Sequence, residues 1–416
     1  MTATLAMDFG TANSAAAMFS GGKVCRLPIE TGSDMLPTAV FFPADRSAMK
    51  IGSAATEALI AGEDGRFMRA MKSALGTSLF HEQRLIGGKR RSLSQIVTAF
   101  LTEVKLRAEA EAGQVFDRVL SGRPVHFHSL DSARDAQAEV DLVGCYRAAG
   151  FGEVGFLFEP VAAARASQDQ TATGQLGLIV DIGGGTSDYS VFRRDGSHLT
   201  VLASHGIRLG GTDFDRMLSM TYAMPWLGLG GVLRREMGAG LLPVPRHIYL
   251  DLATWAKIHF LYTPETRAAV TEMVKLATKP RLMRRLAHVL QSELGHDLAF
   301  AVEAGKIAAN RAQDGAFIDM GRIEGGLSVP ISHASSDRAL QRYRHALGEA
   351  ATEACRMAGV ATTDIATLVL VGGSSLMSIV SNELVARFPK AEQRSSDPFY
   401  AVLDGLALAS QEAVFS

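Results

Sequence analysis

The sequence is short of cysteine: Cys25, Cys145 and Cys355 are the three it has in 416 residues. They lie far apart, show neither a zinc spacing nor a disulfide framework, and fit a reducing, cytoplasmic setting. No uninterrupted apolar run reaches the roughly 18 residues that would mark a membrane-spanning helix. The opening MTATLAMDFG has no basic start and no long apolar core, so no signal peptide is expected. An excess of one charge is also missing. Lys and Arg number 42 against 43 Asp and Glu, a net charge of -1, which gives no reason to expect nucleic acid or an acidic membrane as the main partner. The P-loop pattern G-x-x-x-x-G-K-[ST] is absent too.

What is present is a globular composition, 47% hydrophobic and 20% charged, with 41 glycines. The chain is too long for one ordinary core, so two domains or lobes are expected. The most informative stretch is VDIGGGTSDYSVF, Val180 to Phe192. Leu178, Ile179 and Val180 read as a strand entering a turn, and Tyr189, Val191 and Phe192 as a strand leaving it. The turn between them is nearly bare of side chains. Glycines let a ligand approach the backbone, and exposed N–H groups there form an anion nest. An aspartate beside such a nest would repel a phosphate unless a metal lay between them. The pairing therefore points to a Mg²⁺-nucleotide, with a carboxylate holding metal-bound water. The plainer alternative is a tight glycine hairpin capped by aspartates.

A second copy favours the first reading. Residues 8–19 read DFGTANSAAAMF and residues 181–192 read DIGGGTSDYSVF. Asp8 and Asp181, Gly10 and Gly183, Ser14 and Ser187, and Phe19 and Phe192 occupy the same places. The copies lie about half a chain apart, which predicts one large duplication. Two such hairpins facing each other would grip a polyphosphate from both sides. Neither leads from a strand into a helix, as a dinucleotide fingerprint requires. Two further glycine turns follow: Leu209-Gly210-Gly211-Thr212-Asp213-Phe214-Asp215, and Val371-Gly372-Gly373-Ser374-Ser375. Each precedes an expected helix, and the second could approach a ribose or base edge.

The ordered set DFGTANS, FEPVAAA, DIGGGTSD, LGGTDFD and LVLVGGSS resembles the ATPase domain of the heat-shock protein 70 family. That domain belongs to the actin, sugar-kinase and heat-shock ATPase superfamily. The resemblance runs from about residue 4 to about residue 410. More narrowly, it is similar to the short YegD-like branch of chaperones without a substrate-binding domain. It implies an α/β fold: a two-lobed actin-like ATPase, built from duplicated ribonuclease-H-like α/β domains with outer subdomains.

Roles follow by the same resemblance. Asp8 and Asp181 would hold magnesium through water. Gly10, Thr11, Ala12 and Asn13 would form the first phosphate loop, and Gly183, Gly184, Gly185 and Thr186 the second. Lys72 would reach the γ-phosphate, while Glu159 and Asp188 would lie near the magnesium and the catalytic water. Gly210, Gly211, Gly372, Gly373 and Ser374 would complete the nucleotide site, with Glu303 and Lys306 on the ribose and adenine side. The cofactors implied are ATP or ADP with Mg²⁺. Ile307 and Leu376 stand where the family usually carries cations that stack on the base. Val125 to Leu130 departs from the family's relay segment, and His126 and His128, alternating with Phe127, read as strand residues.

The expected layout is lobe I over residues 1–170, with an outer part at 35–115 and the helix 397–416 packing back on it. Lobe II covers 175–395, with an outer helical part at about 220–310. Gln168–Gly177 reads as a surface loop, and the basic stretch Lys279 to Arg285 as a solvated helix face or a docking surface. The expected function is an ATP-binding, chaperone-like protein with slow Mg-dependent hydrolysis and a protein partner or client. Two alternatives remain, a small-molecule kinase of the same superfamily and an actin-like scaffold.

Overall fold

The computed structural model describes residues 3–167, 171–195, 198–395 and 400–412. The chain forms two compact units, Met1–Gly211 with Arg344–Ser416, and Thr212–Tyr343.

The first unit contains two sheets with the same path. In the first sheet, strands Thr4–Phe9, Asn13–Ser20 and Lys23–Leu27 run as an antiparallel meander. Arg118–Arg123 then pairs parallel with Thr4–Phe9, and Glu153–Phe158 parallel with Arg118–Arg123. In the second sheet the meander is Leu176–Ile182, Ser187–Asp195 and His198–Ile207. Ile365–Val371 pairs parallel with Leu176–Ile182, and Glu392–Ser395 parallel with Ile365–Val371. The duplication seen in twelve residues of sequence thus extends to a five-strand path, to which the first sheet adds Met35–Pro37 beside Asn13–Ser20. Parallel neighbours need long crossovers, which explains why the fourth and fifth strands of each sheet come from distant sequence.

The sheets share one apolar cluster with two helices. Ala6, Ala17 and Leu120 of the first sheet and Ile179, Phe192 and Val369 of the second pack with helices Glu159–Ala166 and Ala401–Ala409. The strands are buried on both faces, which is why LIV and LVLV read as continuous apolar runs. Pro160 sits in the first turn of its helix, where its missing N–H costs nothing. Ala162, Ala163 and Ala164 are fully buried, so small side chains let the two helices approach closely. Gly405 faces Ala162 so tightly that a Cβ there would lie 1.7 Å from the Ala162 carbonyl oxygen.

Helix Leu93–Ala112 opens on a capping box between Ser92 and Gln95 and closes on Gly113 at φ +64°. It packs against helix Ser132–Ala148. Residues 35–115 also hold a small sheet in which Ala39–Pro43 pairs with Lys50–Ile51 and Gly65–Arg69.

The second unit is mainly helical, with helices Pro264–Leu276, Pro280–Gln291 and Gly295–Asn310. The basic stretch starting at Lys279 forms part of an amphipathic helix that buries Met283, Leu286 and Val289. Arg285 is itself buried, 2.6 Å from Glu324, and Arg281 pairs with the same carboxylate. This face is therefore partly tied down rather than fully solvated.

Three local expectations differ from the structure or reach past it. His126 and His128 lie in a loop after Arg118–Arg123, not on a strand. The ladder ends because side chains capture its N–H groups: Val125 N–H donates to Asp188, and Phe127 and His128 N–H to Asp135. In the expected loop at 168–177, Thr171 is buried while Ala172–Gln175 are exposed, and the strand begins at Leu176; Gln168, Asp169 and Gln170 lie outside the described residues. The helix expected over 397–416 is Ala401–Ala409, the residues 396–399 and 413–416 lying outside the described ones. Among the described residues, no helix is long and apolar enough to cross a membrane.

Candidate functional site

The two glycine hairpins close in the same way. Gly10 N–H donates to Asn13 O at 3.0 Å, and Gly183 N–H to Thr186 O at 3.0 Å. Their strand registers also correspond. Phe9 pairs with Ser14 and Ile182 with Ser187, so Asp8 faces Ala15 and Asp181 faces Asp188. The second copy thus carries a carboxylate where the first has a methyl group.

The turns are brought together. A Cβ on Gly184 would lie 3.1 Å from Thr11 Cβ, and one on Gly185 would lie 3.3 Å from Thr11 Oγ1. Gly10 needs to be glycine because a Cβ would lie 2.3 Å from Asn13 O. The other two glycine turns crowd the same loop. A Cβ on Gly210 would lie 2.6 Å from Gly185 N, and Gly211 N–H donates to Gly183 O at 3.0 Å. Gly372, at φ +79°, would place a Cβ 2.7 Å from Asp181 Oδ1, and Ser374 Oγ lies against Gly211. Gly373 and Ser374 begin a short 3-10 turn, Gly373–Leu376. Thus all four glycine turns identified in the sequence converge within the first unit, with Ala12 in the first of them.

Carboxylates line this convergence. Lys72 Nζ lies 2.8 Å from Glu159 Oε1, with side-chain exposures of 8% and 13%. Lys72 sits in the short 3-10 turn Met71–Ala74, which follows the strand Gly65–Arg69 and is entered through Ala70 at φ +60°. Burial pushes the Asp8 carboxyl up to about 7, helped by the charge of Glu159 and opposed by Lys72. Asp188 is pushed up to about 8 by burial and then by Glu159. Asp181 is raised well above its ordinary value, by burial and by the charges of Glu159, Asp188 and Asp8. Asp188 Oδ1 accepts from Val125 N–H at 2.7 Å, and the Thr186 side chain also favours the charged carboxylate, while the buried Oδ2 has no partner within hydrogen-bond geometry among the described residues.

Asp8, Asp181, Asp188 and Glu159 therefore gather about Lys72, and burial first, then the neighbouring negative charge, raises Asp8, Asp181 and Asp188 for want of a second cation. A divalent cation would supply that charge. Among the described residues no three His, Cys, Asp or Glu side chains form a direct metal cage.

Glu303 and Lys306 lie in the second unit, on helix Gly295–Asn310. Lys306 Nζ is 2.7 Å from Asp215 Oδ1, and Trp255 Nε1 donates to Asp215 Oδ2 at 3.2 Å. Burial outweighs the Lys306 charge, so the Asp215 carboxyl is raised, with Glu303 adding to the shift. Ile307 is 43% exposed and Leu376 is 51% exposed.

Sequence reasoning missed Arg123, Val125 and Arg208. Arg123 lies near enough to Glu159 and Asp188 to feel their charges, although burial lowers its pKa overall. Its ring contacts are with Phe127 and Phe158. No sequence signal marks a backbone N–H such as that of Val125 as a carboxylate partner.

The family model described as Hsp70 protein matches residues 4–224. The chain is similar to "Chaperone protein DnaK" of Endomicrobium trichonymphae, 23% identical over 98% of this chain and 57% of that protein. It is similar to the protein of the same name from Methanothermobacter thermautotrophicus, 26% identical over 97% of this chain and 59% of that protein. With the Cenarchaeum symbiosum "Chaperone protein DnaK" it shares 29% identity over 52% of this chain and 32% of the relative. The chain thus spans less than two thirds of the length of these relatives.

Proposed function

Because the chain belongs to the Hsp70 family, we propose that its convergent glycine turns bind Mg-ATP and hydrolyse it slowly to ADP. The observation that carries this is the pair of equivalent hairpins meeting beside Asp8, Asp181, Glu159, Asp188 and Lys72. Backbone N–H groups of the turns at 11–13 and 184–186 cradle the phosphates, those of Gly10 and Gly183 being used to close the turns. Asp8 and Asp181 would hold Mg²⁺ through its waters, and the ion would supply charge neutralisation at the phosphate oxygens. Lys72 steadies the γ-phosphoryl group, and Asp188 Oδ2 is available to a nucleophilic water. Glu159 holds the Lys72 ammonium in place. Gly210, Gly211, Gly372, Gly373 and Ser374 let the nucleotide approach the backbone, and Glu303 and Lys306 serve its adenosine.

The two matching sheets are the cores of two lobes, and nucleotide state alters their closure to regulate contact with a protein client. A cytoplasmic setting and the YegD-like branch complete this reading, on the sequence features given above.

The test compares Mg-ATP with metal-free adenosine, each by calorimetry, for wild type and Asp181→Asn. Mg-ATP affinity should fall far more than adenosine affinity, because the carboxylate acts through the ion. Equal losses would make Asp181 structural, and a wild type with no Mg-ATP binding would remove the reading altogether.

A further inference from the structure

Arg208 lies between strand His198–Ile207 and the glycine pair Gly210–Gly211. Its guanidinium reaches two other segments of the same unit. Nη2 donates to Ser73 O at 2.8 Å, one residue past Lys72, and Nη1 donates to Phe127 O at 3.3 Å. Nη1 also lies 2.6 Å from His128 Nδ1 and 3.2 Å from His128 Nε2, so it leans over the ring rather than along one lone pair. His128 Nε2 is 2.7 Å from Leu75 O. A carbonyl only accepts, so Nε2 carries a proton and donates it. The guanidinium charge against the ring opposes a second proton at Nδ1. The contacts thus assign His128 as the neutral Nε2–H tautomer.

The segments joined here carry the candidate catalytic groups. Ser73 and Leu75 follow Lys72 directly. The loop of Phe127 and His128 also contains Val125, whose N–H holds Asp188 Oδ1. Next to Arg208, Leu209 O accepts from Ser187 Oγ at 2.6 Å, and Gly211 is bonded to Gly183 O. Gly206 lies so close to Asp188 that a Cβ would come within 2.5 Å of its Oδ1. Neither Arg208 nor His128 has a phosphate-binding role in the reading above.

We propose that Arg208 and neutral His128 form a positioning clasp that keeps Lys72 and Asp188 in register for ATP turnover, and that a proton on His128 opens it. The proposal rests on the nucleotide-hydrolysing reading of the site. The groups facing His128 are Arg208 and Arg134, which oppose its protonation, and the Leu75 carbonyl and Asp135, which favour it. Burial is the largest influence and lowers its pKa below the ordinary 6.5. The clasp is therefore intact above that ordinary value and is lost as pH falls through the lowered one.

Two measurements on the full chain test this. The first is a proton NMR titration of the His128 ring, identified by its loss in His128→Asn, in wild type and in Arg208→Ala. No nucleotide is needed. Removing the guanidinium should move the His128 titration upward; an unmoved titration overturns the clasp. The second is single-turnover hydrolysis of saturating Mg-ATP between about pH 8 and about pH 5.5. Wild type should slow about tenfold as the clasp opens, the scale of a small misplacement of reacting groups. His128→Asn should lose the part of that decline centred on the His128 titration, while the carboxylates of the site titrate in both proteins and cancel. Arg208→Ala should turn over slowly at each pH with ATP affinity nearly retained. The same acid decline in His128→Asn as in wild type overturns the positioning role. A wild type that hydrolyses nothing fails the reading of the site, whereas hydrolysis with an unchanged decline fails the clasp alone.

Discussion

Lys72 is surrounded by carboxylates that it cannot neutralise by itself, and this sets what single substitutions should do. Its charge lowers the pKa of Asp8, Asp181 and Asp188, yet burial and Glu159 leave all three raised. Lys72→Ala should lower single-turnover hydrolysis by about 10²–10³, or roughly 3–4 kcal/mol, the scale for losing one preorganised donor. ATP affinity should fall less than turnover if the ammonium acts mainly in the transition state. Wild-type turnover in this variant would leave the lysine with an ion-pairing role only. The carboxyls also predict a pH effect. A carboxyl raised by folding, as Asp8 is to about 7 and Asp188 to about 8, adds relative stability below its unfolded value of 3.8. That contribution is lost as pH rises through the folded values. Mg²⁺ favours the ionised forms, so its gain in thermal midpoint should be larger near pH 8.5 than near pH 6, with protons released on binding at about pH 7. Scanning calorimetry and titration calorimetry in buffers of different ionisation heat measure both. An equal gain at the two pH values would mean the ion does not meet these carboxyls.

Helix Ala401–Ala409 is the element whose packing is most exposed to a single methyl group. With only 1.7 Å to the Ala162 carbonyl oxygen, Gly405→Ala must push it away from helix Glu159–Ala166. Overpacking of this kind costs about 1–3 kcal/mol and sometimes more, and backbone contact places Gly405 at the upper end. Gly144→Ala is the counterpart. Among the described residues, nothing beyond the helix's own backbone lies within 4 Å of the added methyl group on helix Ser132–Ala148, so stability should rise by about 0.5–1 kcal/mol. Urea unfolding of both variants decides it, and wild-type stability in Gly405→Ala would mean the helix shifts freely. Elements of this kind differ in how far sequence reveals them. The hairpins were legible because the whole device is local: a strand, a turn closed between residues three apart, and a returning strand. Helix Leu93–Ala112 is likewise bounded by local devices, the Ser92–Gln95 capping box and Gly113. The stretch from His126 to His128 misled because period-two alternation resembles a strand, while distant carboxylates took the N–H groups a ladder needs. The Lys72–Glu159 pair spans 87 residues of sequence, and no local pattern encodes it.

At the scale of the whole chain, phosphate-side and adenosine-side assignments stand on different footing. The phosphate side is supported twice, by repeated sequence and by repeated sheet topology. The adenosine side has no internal copy to check it. Its acidic and basic candidates, Glu303 and Lys306, share a helix, and Lys306 is held by the buried Asp215. The chain also covers 57% and 59% of two DnaK relatives, so what those longer proteins do is carried here only as a proposal. Base preference probes the adenosine side directly. Ile307 and Leu376 are both partly exposed apolar side chains where the family resemblance leads one to expect cations. A cation stacked on a base contributes about 0.5–2 kcal/mol, and an apolar side chain keeps the contact area without that attraction. Nor can an apolar side chain distinguish the hydrogen-bonding edges of adenine and guanine. Strong discrimination requires polar groups left unpaired by the wrong ligand. ATP should therefore be preferred over GTP only modestly, by about tenfold or less in competition binding. Ile307→Arg and Leu376→Arg should each tighten binding of both nucleotides with little change in their ratio. A preference of several hundredfold in wild type would show that polar groups outside these two positions read the base, and would move the adenosine assignment away from them.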